Sequence, residues 1–233
     1  MSSRVLPRVI GHRGASRDHP ENTLEAFVGA REQGATWVEL DVRPTADDTL
    51  AVLHDPHLPD GRVLAELIRA DVPVSVPELR AALEACAPMG VNVEIKHGEG
   101  EPGFTDDRRL ADRVVAELLG APVELLVSSF DLAIIDRVRA IAPEIPTAYL
   151  VLGADEPIDA VAACVERGHA ALHPWDPMVD AALVARCHDA GVAVNVWTVD
   201  DPDRMRELAS WGVDGIVTNV PAIAVAALTG LDA

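Results

Sequence analysis

Short β-branched runs alternate with Ala/Leu/Arg/Glu-rich runs along the whole chain, and this alternation predicts an α/β fold. The expected form is a single-domain (β/α)8 TIM barrel over residues 1–233. The length suits one domain and falls near the ~250 residues typical of eight βα units. Several of the predicted strands are near-continuous apolar runs, the pattern of a parallel sheet buried on both faces. An open doubly wound sheet is the alternative. The count of units favours closure, and the chain has neither GxGxxG nor a phosphate-binding loop motif.

The elements follow in order. Arg8 to His12 is the first strand, and Asn22 to Gln33 is a helix with Leu24, Phe27, Val28 and the stem of Arg31 at helical spacing. Trp37 to Val42 is the second strand, followed by a short extended piece, Leu50 to Leu53, within the second connection. Asp55 to Val76 has no convincing helix and is a candidate loop over the barrel mouth. Pro77 to Cys86 is a helix with proline near its start, where a missing N–H is harmless. Strands are expected at Val91 to Ile95, Glu124 to Ser128, Thr147 to Val151, Ala170 to His173, Val192 to Trp197 and Gly215 to Thr218. The helices between and after them are Asp107 to Leu119, Leu132 to Ile141, Ile158 to Arg167, Val179 to Ala190, Pro202 to Ser210 and Ala222 to Leu228.

Hydrophobic residues make up 49% of the chain and aromatic residues only 3%, so the core must be built from Val, Leu, Ile and Ala. The 19 Lys and Arg against 38 Asp and Glu give a net charge of −19. A field of that sign repels nucleic acid and anionic lipid surfaces. A phosphate-bearing substrate would therefore need a local countercharge, such as a bound cation. Cys86, Cys164 and Cys187 are scattered and odd in number, which fits buried thiols rather than a disulfide framework or a zinc site. No segment approaches the ~20 apolar residues of a membrane helix, and residues 1–7 do not resemble a signal peptide. The expectation is a cytoplasmic protein with no stable membrane insertion.

In a parallel barrel, chemistry gathers where strands end at the C-terminal face. Here those ends are polar. The first strand ends in Gly11-His12-Arg13-Gly14, the second carries Glu39 and Asp41, and the third ends in Glu94-Ile95-Lys96. The extended piece ends in His54-Asp55. Two-residue spacing places Glu39 and Asp41 on one face of their strand. With Glu94 from the adjacent strand, three carboxylates would share one mouth, and they must protonate, pair with cations or bind a metal ion. All-oxygen donors suit a hard ion such as Mg2+ or Ca2+. The structural alternative is a salt-bridge network with Lys96 and Arg13. His12 and His54 are the natural proton-transfer pair, whereas His19, His57, His97, His169 and His188 lack such company. Arg13 suits a phosphate clamp, and Lys96 adds a second positive charge. These residues point to metal-assisted phosphoryl chemistry.

At the same residues the chain resembles the glycerophosphodiester phosphodiesterase family. The likeness is carried by Gly11-His12-Arg13-Gly14-Ala15-Ser16, Pro20-Glu21-Asn22-Thr23, Glu39-Leu40-Asp41-Val42, His54-Asp55, Val93-Glu94-Ile95-Lys96, Ser128-Ser129-Phe130-Asp131 and Val196-Trp197-Thr198, in that order. The resemblance implies a TIM-barrel hydrolase that cleaves glycerophosphodiesters to sn-glycerol 3-phosphate and an alcohol. It implies Glu39, Asp41 and Glu94 as ligands of Mg2+ or Ca2+, and His12 and His54 as the acid/base pair. It implies Arg13, Lys96, Trp197, Glu21 and Asn22 as substrate-binding positions. The partner is then a small-molecule diester and not nucleic acid. Three departures stand out: the connection after His54 is shorter than in many relatives, Asp48 stands where Gly often does, and Asn219 stands where Asp often does. The alternatives are a lysophospholipase D-like lipid phosphodiesterase on the same barrel, a non-catalytic phosphodiester-binding barrel, and an aldolase-like barrel using Lys96.

Overall fold

The structure, a computed structural model, describes residues 6–153 and 159–229. It is a closed parallel barrel with one antiparallel appendage. The strands are β1 (Arg8–His12), β2 (Trp37–Pro44), β3 (Leu50–Val52), β4 (Gly90–Ile95), β5 (Leu125–Ser129), β6 (Thr147–Val151), β7 (Ala171–Pro174), β8 (Ala193–Val196) and β9 (Gly215–Thr218). The helices are α1 (Leu24–Glu32), α2 (Leu79–Cys86), α3 (Arg109–Leu118), α4 (Leu132–Ile141), α5 (Ala160–Arg167), α6 (Ala181–Asp189), α7 (Pro202–Trp211) and α8 (Pro221–Thr229). Strand β1 pairs in parallel with both β2 and β9, which closes the ring. Strand β3 pairs antiparallel with β2 and stands outside the ring, as expected of the extended piece in the second connection.

The strand alternation separates two cores. On β2, Val38, Leu40 and Val42 face the helices and join the main apolar cluster, as do Val91, Val93 and Ile95 on β4. The opposite faces turn into the barrel. There a small cluster of Ile10, Trp37, Leu126, Ala148, Ala171 and Val217 fills the interior. The polar neighbours of these residues lie further along the strands, towards the C-terminal mouth. Cys86, Cys164 and Cys187 are buried free thiols, as the sequence suggests.

Differences from the expected bounds have local causes. The first helix begins at Leu24 rather than Asn22, because Asn22 is left-handed (φ 57°) and Thr23 is the cap, accepting from the Ala26 N–H. The helix expected from Pro77 begins at Leu79. The Pro77 carbonyl accepts from Val52 N–H at 2.8 Å, and Glu78 bridges to Ala51, so both residues stay extended beside β3. Asp131, Asp159, Asp180 and Asp201 cap the helices that follow them. Ile158, the expected start of α5, lies outside the described residues.

The connection from Asp55 to Val76 contains two 3-10 turns, Leu64–Glu66 and Arg69–Asp71. Leu58, Leu64, Val72 and Val76 close with Ala51 on a small core of their own. The segment therefore folds against β3 and contributes no side chain to the cavity at the mouth, which takes only His54 from this region. It is not the loop over the mouth that the sequence suggested.

The interior tolerates no added bulk at Gly90, where a Cβ would come within 2.2 Å of the Trp37 ring. Gly90→Ala is expected to lower stability by about 1–3 kcal/mol through overpacking. Urea unfolding would measure the change; an unchanged midpoint would show that Trp37 has room to move.

Candidate active site

The first turn of the barrel mouth depends on glycine. Gly14 has φ 87°, and a Cβ there would lie 2.5 Å from the Ala26 backbone, so the chain can double back on α1 only without a side chain. The preceding Arg13 is itself left-handed (φ 55°). Its backbone N–H donates to Glu39 Oε2 at 3.0 Å, its Nη1 donates to both carboxylate oxygens of Glu21 at 2.9 and 3.0 Å, and its Nε lies 3.2 Å from Asp41 Oδ2. Asn22 donates from Nδ2 to Asp41 Oδ2 at 2.8 Å, and its Oδ1 accepts from the Asp41 N–H at 3.3 Å. The Glu21-Asn22 pair thus orients Arg13 and Asp41. Neither residue lines the cavity, and the Glu21 side chain is half exposed.

Glu39, Asp41 and Glu94 converge as their strand positions require. Asp41 pairs with Glu94 across β2 and β4, and His12 pairs with Glu39 across β1 and β2. One oxygen from each of the three carboxylates lies within 4.8 Å of the others, and all three residues are buried. Lys96 Nζ donates to Glu94 Oε1 at 2.7 Å and lies 3.4 Å from Asp41 Oδ1. The salt-bridge network is real but incomplete, because two cations face three carboxylates. Glu39 Oε1 and Asp41 Oδ1 are buried with no hydrogen-bond partner among the described residues. Orphaned carboxylate oxygens around one point, with no nitrogen or sulfur donor among them, fit a hard divalent cation. The cluster could hold a metal ion.

The electrostatics carry the same tension. Burial pushes Glu39 well above the ordinary carboxylate range, and the charges of Asp41 and Glu94 add to it. Burial likewise raises Glu94 to about 7, with Asp41 contributing and Lys96 opposing. Asp41 goes the other way. Burial would raise it, but the charges of Lys96, Arg13 and His54 and the Asn22 hydrogen bond outweigh that effect and hold it below its usual value.

The two imidazoles flank the cluster. His12 Nδ1 lies 2.7 Å from Asn219 Oδ1, and Asn219 Nδ2 in turn donates to Asp200 Oδ2 at 2.8 Å. An amide oxygen only accepts, so Nδ1 carries the proton and Nε2 keeps its lone pair, 4.0 Å from Glu39 Oε2. Burial, helped by Arg13, lowers the His12 pKa and keeps the ring neutral near pH 7. His54 is more open; its Nδ1 lies 2.7 Å from Asp55 Oδ1. Both rings line a cavity of about 280 Å3 with Arg13, Glu39, Glu94 and Lys96. Its other wall is apolar: Phe130 packs edge-on against Trp197, with ring centroids 5.7 Å apart, beside Leu150, Leu152 and Val217. A larger cavity of about 710 Å3 opens at the opposite, N-terminal end of the barrel. Among the described residues no carboxylate cluster converges there, so size alone does not locate the chemistry.

Every expected site residue except Glu21, Asn22 and Asp41 lines the mouth cavity, and those three form the bracket behind it. Sequence reasoning passed over Asn92, Phe130, Leu150, Leu152 and Val217 as lining residues, and it placed His173 at a strand end without giving it a role. Strand alternation would have found Asn92, two residues before Glu94. His97 is structural: its ring bonds to Asp131 Oδ2 at 2.7 Å and to the Thr105 carbonyl at 2.8 Å.

A parallel barrel that joins buried carboxylates, two imidazoles and two fixed cations in one mouth has the layout of a phosphate-ester enzyme. The sequence profile of the glycerophosphoryl diester phosphodiesterase family matches residues 12–223, and the chain belongs to that family. A glycerophosphodiester phosphodiesterase of Caldanaerobacter subterraneus subsp. tengcongensis is 32% identical, over 91% of this chain and 94% of that one. A phosphodiesterase of Oleispira antarctica, solved in complex with the product sn-glycerol-3-phosphate, superposes with a TM-score of 0.87 at 27% identity. That match covers 98% of each chain. A glycerophosphodiester phosphodiesterase structure from Thermotoga maritima gives a TM-score of 0.79 at 27% identity, over 94% of this chain and 97% of that one. Among the described residues no helix is long and apolar enough to cross a membrane.

The raised carboxyls set the pH dependence of metal-free stability. A carboxyl whose folded pKa exceeds its unfolded value binds more protons when folded. Its stabilising contribution is therefore full below the unfolded value of ~4.3 and is lost as pH rises through the folded value. For Glu94 that window closes at about 7. With metal removed, the Glu94 contribution should fall across this window, and divalent cation should raise Tm more at pH 7.5 than at pH 5.5. Calorimetry with EDTA and with Mg2+ would test it; an equal metal effect at both pH values would contradict this origin.

Proposed function

We propose that this chain hydrolyses glycerophosphodiesters to sn-glycerol 3-phosphate and an alcohol, with Glu39, Asp41 and Glu94 as ligands of one Mg2+ or Ca2+ ion. The observation that carries the proposal is the convergence of those carboxylates with His12, His54, Arg13 and Lys96 on one cavity. Family membership and the product bound to the Oleispira protein support it. A cytoplasmic location, a role in lipid and glycerol metabolism, and the treatment of residues 1–233 as one domain belong to the same proposal.

When bound, the cation supplies Lewis-acid charge that the acidic protein otherwise denies to a phosphate. Arg13 is held in place by Glu21 and Asp41 and presents its guanidinium to phosphoryl oxygens, while Lys96 adds a point charge. His12 is the general base. Its Nδ1–H is tied to Asn219, and its free Nε2 takes the proton of a glycerol hydroxyl as that oxygen attacks phosphorus. The bond from phosphorus to the leaving alcohol breaks, and protonated His54, oriented by Asp55, gives its proton to the departing oxygen. The immediate products are the alcohol and a cyclic glycerol phosphate, which water opens to sn-glycerol 3-phosphate. Trp197 and Phe130 form the apolar wall beside the reacting groups.

A second reading has a specific observation behind it. Phe130 is 41% exposed and Leu152 52% exposed at the cavity rim, an apolar edge suited to the alkyl part of a lysophospholipid.

The test is a panel of glycerophosphodiesters and lysophosphatidylcholine, assayed with EDTA and with Mg2+, Ca2+ and Mn2+ added back. The expected outcome is EDTA-sensitive turnover of at least one glycerophosphodiester, with phosphorus NMR revealing the cyclic species at early times. His12→Ala should lower kcat by ~10²–10⁴-fold with the fold intact, the usual range for a lost acid/base group. Preferred turnover of lysophosphatidylcholine would favour the second reading. Full activity in EDTA or in His12→Ala would overturn the assignment.

A further inference from the structure

The buried end of the cavity carries groups that the mechanism above leaves unused. His173 on β7 and Asn92 on β4 both line the cavity, and each is 1% exposed. Asn195, on the neighbouring strand β8, donates from Nδ2 to His173 Nε2 at 2.8 Å. Because Nε2 accepts, the ring proton sits on Nδ1. Nδ1 has no hydrogen-bond partner among the described residues, which leaves its N–H to the cavity that the ring lines. Burial pushes the His173 pKa down to about 3. A ring with so low a pKa does not take up a proton near pH 7 and serves as a neutral hydrogen-bond donor. Asn92 brings an amide oxygen with no hydrogen-bond partner among the described residues.

We infer that His173 and Asn92 form a neutral hydrogen-bonding floor that binds a hydroxyl of the substrate's glycerol part. The inference rests on the function proposed above. A phosphoryl group is drawn to the fixed charges of Arg13 and Lys96, whereas an uncharged donor and an unsatisfied acceptor lining the same cavity suit a group that both accepts and donates. A hydroxyl is such a group: it accepts from His173 Nδ1–H and donates to Asn92. Burial of the pair makes the discrimination steep, because a substrate lacking the hydroxyl leaves both groups unpaired. Asn195 is a positioning residue, acting through the tautomer it imposes on His173.

The tautomer and the contact can be read separately from turnover. Nitrogen-15 NMR of the imidazole across pH 5.5–8 should find His173 neutral with the proton on Nδ1 throughout. Adding sn-glycerol 3-phosphate should shift that N–H resonance, and inorganic phosphate should not. In kinetics, His173→Phe should lower kcat/KM by about tenfold or more, and His173→Asn, whose amide N–H falls near the Nδ1 position, should recover most of it. A substrate with a glycerol hydroxyl replaced by hydrogen should be disfavoured about tenfold by the parent and hardly at all by His173→Phe. A protonated ring, the opposite tautomer, an equal shift with inorganic phosphate, or unchanged discrimination in His173→Phe would overturn the inference. Absence of all glycerophosphodiester turnover would instead overturn the proposed function. The NMR titration would still decide the floor: a shift with sn-glycerol 3-phosphate sustains it, and no shift overturns it.

Discussion

Three carboxylates buried within 4.8 Å of one another are the constraint around which the barrel mouth is organised. Like charges in a low-dielectric setting repel strongly, and burial penalises each charge separately. The chain does not relieve this by separating them. It places Glu39 and Asp41 two residues apart on β2 and Glu94 opposite Asp41 on β4, so the register of the sheet brings them together. The raised pKa values of Glu39 and Glu94 are the direct consequence. An arrangement this unfavourable without a countercharge is informative because the surrounding residues stabilise it only partly.

The partial compensation explains much of the local sequence. Lys96 and Arg13 each lie against Asp41, the one carboxyl of the cluster held below its usual pKa. Arg13 reaches that position because Gly14 lets the chain turn back beside Ala26. Asn22, in a left-handed conformation that Asn tolerates, holds Asp41 by side chain and backbone together. Asp200 and Asn219 extend the bracket to His12, and the amide there fixes which ring nitrogen is free. Asn219 is one of the three departures noticed in the sequence, and in this chain it performs the orientation without placing a charge beside His12. A second departure, the short connection after His54, also has a structural counterpart. It closes on its own small core and leaves the mouth walled by the apolar side chains of β5, β6, β8 and β9.

Most of the fold was legible because barrel strands and helices leave separate signals. Near-continuous apolar runs marked several strands, β6 among them, and the Ala/Leu/Arg/Glu-rich runs between them marked the helices. The misplaced boundaries lay where tertiary contacts overrode local preference, as at Pro77 and Glu78, which β3 draws into extended pairing. The charged part of the site was legible because carboxylates, imidazoles and cations at strand ends have few other reasons to recur. The neutral part was not. Leu150 and Val217 look like ordinary strand residues, and only closure of the ring shows which face of each strand they occupy. The supporting role of Glu21 and Asn22 was equally hidden, since a motif beside a site does not reveal whether it touches substrate or holds the residues that do.

The central claim is that the buried acidic cluster exists to hold a divalent cation. Anomalous scattering from crystals grown with Mn2+ tests it most directly. The expected result is a single strong peak at bonding distance, roughly 2.0–2.6 Å, from oxygens of Glu39, Asp41 and Glu94. A map with no peak there, and with Lys96 and Arg13 still the only countercharges, would contradict it.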